Sequence, residues 1–200
     1  MWEKRNGRAF ALTPALLRNG FLAAVILFAA AAAAGAYFSD AVGRFLEPSL
    51  DGLKEMARAS RALAPGTREA VLAAGIFLKN LSVALILLAV GHILLALPAL
   101  LVIATNGLMV GFMGVVLGQQ GISPWAYVLG LAPHGVIELP ALLLAAGYAL
   151  STAHLRLYGR DAPSVGRRMA FLLKVVLPML AVAAAAEVYV TPHVLARVLR

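Results

Sequence analysis

The sequence predicts an all-α fold, a polytopic transmembrane helix bundle of about five spans. Of its 200 residues, 62% are hydrophobic and only 13% are charged, which suits a lipid bilayer rather than water. Its apolar runs are long enough to cross a hydrocarbon core of about 30 Å, which takes roughly 20 helical residues. Basic residues stand mainly beside or between these runs, as membrane topology requires. We therefore treat residues 1–200 as a single integral membrane domain.

The charge and the cysteine count narrow the range of partners. A formal net charge of +8 would raise the question of nucleic acid in a soluble protein, but no nucleic-acid-binding signature accompanies it. We expect anionic lipid headgroups, not nucleic acid, to face the basic residues. The absence of cysteine excludes disulfides and thiolate metal sites, and no cofactor is predicted.

Run lengths place the spans. The first run, residues 16–38, exceeds the roughly 7 to 15 apolar residues of a signal peptide, so we expect a retained helix. Residues 71–117 would form about 70 Å of helix, which corresponds to two crossings with a turn between residues 91 and 98. The predicted spans are residues 16–38, 71–91, 98–118, 133–155 and 169–190.

The polar segment 39–70 is predicted to form an external amphipathic helix. Apolar residues recur within it at helical spacing, while its lysines and arginines lie on other faces. We expect this helix to start near Pro48 and to end at Pro65. Its candidate partner-binding face comprises Leu50, Leu53 and Met56. The alternative is a solvated helix that contacts nothing.

Residues 124–158 form an apolar run of about 52 Å, which is too long for one straight span. We predict that the helix breaks at Pro133 and Gly135, so that the span begins there. Irregular backbone at this depth is tolerated only where protein or a water-filled cavity surrounds it. The break therefore predicts a polar interior site.

Small residues predict close helix packing. Residues 29–34 are an alanine run, and small side chains let helix backbones approach each other in a membrane. On this basis we expect tight packing and a homodimer. The glycines that share one face of the third span are Gly107, Gly111, Gly114 and Gly118.

Ionisable side chains in the apolar runs indicate a polar centre. His134 and Glu138 stand four residues apart and hence on one helix face. A charge near the bilayer centre costs about 3 kcal/mol, so such groups need partners. We predict one intramembrane cluster, which comprises Asn80, Asn106, His134, Glu138 and Glu187.

Three interpretations of this cluster remain open: a hydrogen-bonded structural centre, an ion or proton site, and a catalytic site. For a metal, His134 and Glu138 are the only candidates, whereas three or four ligands are normally needed. The patterns H-E-x-x-H and G-x-S-x-G are absent, as is a phosphate-binding loop. We therefore expect no enzymatic activity.

Charges beside the first span set the orientation. Arg44 is the only basic residue soon after that span, whereas four precede it, which predicts a cytoplasmic N-terminus. Five spans then place segment 39–70 and the C-terminus outside a cell membrane that the chain crosses several times. The preceding basic residues are Lys4, Arg5, Arg8 and Arg18.

Four marks occur in order along the chain: Phe77-Leu78-x-Asn80, Asn106-Gly107 followed by Gly111, Pro133-His134-Gly135-x-x-Glu138-Leu139-Pro140, and Ala186-Glu187 with Thr191-Pro192. With these marks the chain resembles the stage II sporulation protein M family. The resemblance implies an integral membrane protein that, in endospore formers, is a scaffold for peptidoglycan-degrading partners during engulfment.

Two functions follow from these features. The resemblance favours a non-enzymatic scaffold or assembly factor of the cell envelope, with envelope proteins as partners. The alternative is a small oligomeric transporter or channel, coupled to ions or protons, that uses His134 and Glu138. Secondary transporters build mid-membrane sites from broken helices beside such polar groups.

Overall fold

The structure, a computed structural model, describes residues 12–64, 66–90 and 96–198. All regular structure within these residues is helical, and no strand is found among them. The elements are α1 (Pro14–Tyr37), α2 (Ser39–Ser60), α3 (Thr67–Val90), α4 (Leu97–Gln119), α5 (Pro124–Leu157), α6 (Val165–Phe171), a π-helical turn (Leu172–Val176), α7 (Leu177–Tyr189) and α8 (Thr191–Val198).

Five helical stretches are long and apolar enough to cross a membrane, which confirms the predicted all-α bundle of five spans. The chain is a multi-pass membrane protein. Helix α3 ends at Val90 and α4 begins at Leu97, and the predicted turn between them lies in residues 91–95, outside the described residues. The five stretches are Pro14–Tyr37, Thr67–Val90, Leu97–Gln119, Gly135–Leu157 and Val165–Tyr189.

The fourth span, in α5, is the centre of the bundle. In the 18-residue apolar window of this stretch 61% of the residues are buried inside the protein, against 11% to 28% in the corresponding windows of the other four. Helix α5 packs against α1, α3, α4, α7 and α8. Small residues on α5 make room for these neighbours, and those that are almost fully buried are Ala141, Ala145, Ala146, Ala149 and Ala153.

Helix α5 is not broken at Pro133, which corrects the predicted helix break. It continues from Pro124 to Leu157 through both Pro133 and Pro140. A proline removes one N–H from the helix ladder and crowds the carbonyl of the residue four before it, but neither effect ends α5 at Pro133. Gly135 is buried within this helix and also does not interrupt it.

Helices α1 and α4 run in the same direction and pack backbone against backbone. A Cβ atom added to Gly107 would lie 2.6 Å from the carbonyl oxygen of Phe28 and 2.7 Å from Cβ of Ala31. A Cβ on Gly111 would collide with the carbonyl oxygen of Ala32. Gly107 and Gly111 therefore pack on the alanine run inside one chain, whereas a Cβ on Gly114 would meet Tyr127 and one on Gly118 would meet nothing within 4 Å. The predicted homodimer stays a prediction.

Helix α2 follows α1 after a single residue and lies across the end of α4. It starts at Ser39 rather than near Pro48, which lies inside the helix, so that predicted start is wrong. Val42 and Leu46 are buried, and Gly43 lies against the ring of Phe112 in α4. The predicted partner-binding face consists of Leu50, Leu53 and Met56, whose side chains are not among those that the structure describes.

The bundle has two distinct ends. At the α2 end, α1, α4 and α7 finish while α3 and α5 begin; at the basic end, α3 and α5 finish while α1, α4 and α6 begin. The buried side chain of Arg168 connects α6 to α3 at the basic end. Its Nη1 donates to the carbonyl oxygens of Leu88 (3.1 Å) and Ala89 (3.0 Å). These carbonyls belong to the last turn of α3, where helix partners are lacking and a cation is favoured.

Candidate functional site

A cavity of about 360 Å³ lies in the α2-end half of the bundle, between α4, α5 and the α7–α8 junction. Its walls are mostly apolar and include Met109, Met113 and Leu131. A few polar residues interrupt these walls, an arrangement typical of small-molecule sites. The polar residues are Asn106, Tyr127, Glu138, Glu187 and Thr191.

Three of the five residues predicted to form the polar cluster line this cavity. Asn106 comes from the middle of α4, Glu138 from the start of the span in α5, and Glu187 from the last turn of α7. Asn80 is buried on α3 but is not among the lining residues. His134 lies in α5, and its side chain is outside the described ones, so the convergence of all five stays a prediction.

Hydrogen bonds fix several polar groups of the walls. The side-chain nitrogen of Asn106 donates to the carbonyl oxygen of Val102 at 2.8 Å, within α4. The hydroxyl of Thr191, at the start of α8, lies 3.0 Å from Oε2 of Glu187 and 3.3 Å from the carbonyl oxygen of Ala186, so it donates within the α7–α8 junction.

Sequence reasoning missed Tyr127. Its hydroxyl donates to the carbonyl oxygen of Val110 in α4 at 2.8 Å and so ties the first part of α5 to α4. Burial raises the pKa of Tyr127, so the neutral phenol remains a donor. Tyr127, Leu131, Gly135 and Glu138 are spaced by three or four residues and share one face of α5, a signal that the assumed break at Pro133 concealed.

A second cavity, of about 380 Å³, lies where the α2–α3 connection meets α7 and α8. Its charged lining residues are Arg61, Arg68, Glu69 and Glu187. Nη2 of Arg68 pairs with Oε1 of Glu69 at 3.2 Å. Glu187 therefore lines both cavities and stands between the bundle interior and the α2 end.

A metal site is not tested by this structure. Among the described residues, no three His, Cys, Asp or Glu side chains gather into a set that could hold a metal ion. The side chain of His134 lies outside the described ones. The hypothesis that His134 and Glu138 hold a metal stays a prediction.

The fold and the cavity define a polytopic α-helical membrane protein with an interior cavity whose mostly apolar walls include a few polar residues. A family model described as stage II sporulation protein M matches residues 24–192, well over half of the chain. The chain belongs to this family, which confirms the resemblance seen in its sequence. Comparisons with curated proteins and with solved structures find no match.

Proposed function

We propose that this protein is a non-enzymatic integral membrane scaffold or assembly factor of the cell envelope. One observation carries the proposal: α2 is a long amphipathic helix that the fold fixes on one end of the bundle. Val42 and Leu46 are 8% and 4% exposed, so one face of α2 packs on the protein. On another face, Phe45 is 65% exposed, a large apolar group available to a partner helix or groove.

We further propose that the α2 end faces outside and that the basic end faces the cytoplasm. Basic residues prefer the cytoplasmic side of a membrane protein. The described part of the basic end has one acidic residue, Asp161, and six basic ones: Arg18, Arg156, Arg160, Arg167, Arg168 and Lys174. Before α1 the sequence adds Lys4, Arg5 and Arg8 and one acidic residue, Glu3. The segment at the α2 end balances Arg44, Lys54, Arg58, Arg61 and Arg68 against Asp40, Glu47, Asp51, Glu55 and Glu69.

Site-specific photocrosslinking in living cells tests the scaffold. A photoreactive phenylalanine analogue at Phe45 should capture an envelope protein, and the same captured protein should recover this chain when it is itself purified. The control position is Ile26, which is 69% exposed on the membrane-facing surface of α1 and should capture lipid only. No captured protein from Phe45, or the same captured proteins from both positions, would contradict the scaffold.

A second candidate function, an ion- or proton-coupled transporter or channel, is favoured by the position of Glu187 on the walls of both cavities. A carboxylate that lines two cavities can bind a cation or proton that passes from one cavity to the other. The test is flux into sealed vesicles, read with pH and divalent-cation dyes. Flux that occurs in the natural protein and disappears in Glu138→Gln would support transport over the scaffold. Absence of flux in the natural protein would exclude transport.

A further inference from the structure

Lys79 stands in the middle of the membrane span that α3 forms. It lies about 18 Å along the helix from Thr67 and about 17 Å from Val90, at the rise of an α-helix. Its side chain is exposed on the surface of the bundle, so in a membrane it faces lipid. Ionisable residues within spans almost always face the protein interior or a water-filled cavity instead. Lys79 departs from this pattern.

No described residue of this chain pairs with Lys79, which has neither a hydrogen bond nor an ion pair within the described part of the structure. The hydrocarbon core of a bilayer is about 30 Å thick, and the four-carbon stem of a lysine at its middle covers only part of the distance to either surface. The ammonium therefore stays in hydrocarbon, where a charge without a partner is costly. A carboxylate from another molecule would remove this cost.

Lys174 provides a contrast, because it is a second exposed lysine in a membrane-length stretch. It lies about 9 Å along the helix from Arg168, close to the basic end of the bundle. From this position its stem can carry the ammonium to the membrane surface, where water and lipid headgroups solvate it. Lys174 thus has a solution that the depth of Lys79 does not allow.

Small residues follow the outward face of α3 at an interval of seven residues. Ser82 and Ala89 are exposed and Gly75 is half-buried, whereas the opposite face, which includes Ala84, is buried in the bundle. A seven-residue repeat keeps side chains on one face of a helix that packs on another helix, and small residues let the two backbones approach. The hydroxyl of Ser82 donates to the carbonyl oxygen of Leu78 at 2.7 Å, so it is satisfied within α3. This face is therefore shaped for a neighbouring helix.

A second copy of this chain does not supply a carboxylate at the depth of Lys79. The acidic residues of the five membrane-length stretches are Glu69, Glu138 and Glu187. All three lie within about 5 Å of the limits of their stretches at the α2 end, whereas Lys79 lies about 18 Å from the start of α3. Charge complementarity therefore favours a different protein as the occupant of this face.

We propose that the outward face of α3 binds a transmembrane helix of another protein, and that this helix has an aspartate or glutamate near its middle that pairs with Lys79. The small residues bring the two backbones close together. The ion pair forms away from water, and it selects the partner by the position and sign of its charge. The site does not depend on the scaffold role of α2, because it lies within the membrane rather than at the α2 end.

Photocrosslinking from α3 in living cells tests the proposal. A photoreactive phenylalanine analogue at Ile86, which is 49% exposed, should capture another membrane protein whose crosslinked span has an Asp or Glu near its middle. Lys79→Leu should lower this capture at least about tenfold, because removing one member of a desolvated charge pair is strongly destabilising. The control Lys174→Leu should leave it unchanged. Capture of lipid only, capture of a second copy of this chain, or undiminished capture in Lys79→Leu would overturn the proposal.

A charge swap separates the ion pair from simple contact. Lys79→Glu should abolish capture, and a lysine in place of the partner's acidic residue should restore it in this variant but not in the natural protein. Ser82→Trp should also abolish capture, because the ring prevents close approach, whereas Val182→Trp on the exposed surface of α7 should not. Capture from Phe45 on α2 should be unchanged in Lys79→Glu, which distinguishes this site from the scaffold surface. Failure of the swap to restore capture would contradict the ion pair.

Discussion

The hydroxyl of Thr191 donates a hydrogen bond to Oε2 of Glu187 at 3.0 Å, across the junction of α7 and α8. Thr191 is only 5% exposed, so the bond is made away from bulk solvent. It orients the one carboxylate that lines both cavities. The stability of the α7–α8 junction and the position of this carboxylate therefore depend on the same side chain.

Replacing Thr191 by valine keeps the shape of the side chain and removes the donor. We expect Thr191→Val to lower the free energy of unfolding by about 1.5 to 3 kcal/mol, the usual value for a hydrogen bond to a charged group. The control is Thr105→Val, because the hydroxyl of Thr105 bonds only to carbonyls of its own helix and contributes little. Equal losses in the two variants, measured by thermal unfolding in detergent, would contradict a special role for Thr191.

Close packing of α1 on α4 predicts a contrast between two glycines of one helix. Gly111→Ala should destabilise the protein by about 1 to 3 kcal/mol, because the added methyl group meets the backbone of Ala32. Gly118→Ala should be neutral or stabilise by up to about 1 kcal/mol, since a Cβ there meets nothing within 4 Å. Unfolding in a mild detergent measures both, and a tolerated Gly111→Ala would contradict the interface.

The buried Arg168 predicts a contrast with its neighbour in sequence. Arg168→Gln should lower the free energy of unfolding by about 2 kcal/mol, because it removes a cation from the carbonyl end of α3. Arg167→Gln changes an exposed residue and should have little effect. Chemical denaturation compares the two, and equal effects would mean that the contact with Leu88 and Ala89 is unimportant.

The continuity of α5 through Pro133 predicts the effect of removing that proline. Pro133→Ala restores an N–H that can donate to the carbonyl oxygen of Leu129, so we expect unchanged helicity and a gain in stability of up to about 3 kcal/mol. Circular dichroism and thermal unfolding check both quantities. A loss of stability would indicate that the protein depends on irregular backbone at this position, as a broken helix would.

The sequence was sufficient to predict the five apolar helices, but it predicted only some of the residues that line the interior cavity. Apolar run lengths report directly on bilayer thickness, so five helices long and apolar enough to span a membrane were predicted correctly, whereas the limits of the membrane spans stay predictions. Whether α5 continues through Pro133 depends on the tertiary packing around this helix, which local helix propensity does not report. The face that joins Tyr127 to Glu138 was missed for that reason. Asn80 is buried but does not line the cavity, and the direction that a side chain takes from α3 depends on tertiary packing, which composition does not encode.

Helix α2 must lie outside the cell membrane if it is to recruit envelope proteins, and cysteine labelling measures this directly. The chain has no native cysteine, and Ser60, a natural choice for a label, is buried. The exposed positions Ala62, beside the end of α2, and Ser164, at the basic end, are suitable instead. A membrane-impermeant maleimide should label Ala62→Cys in intact cells and Ser164→Cys only after permeabilisation. The reverse pattern would contradict an external α2 and, with it, the proposed scaffold.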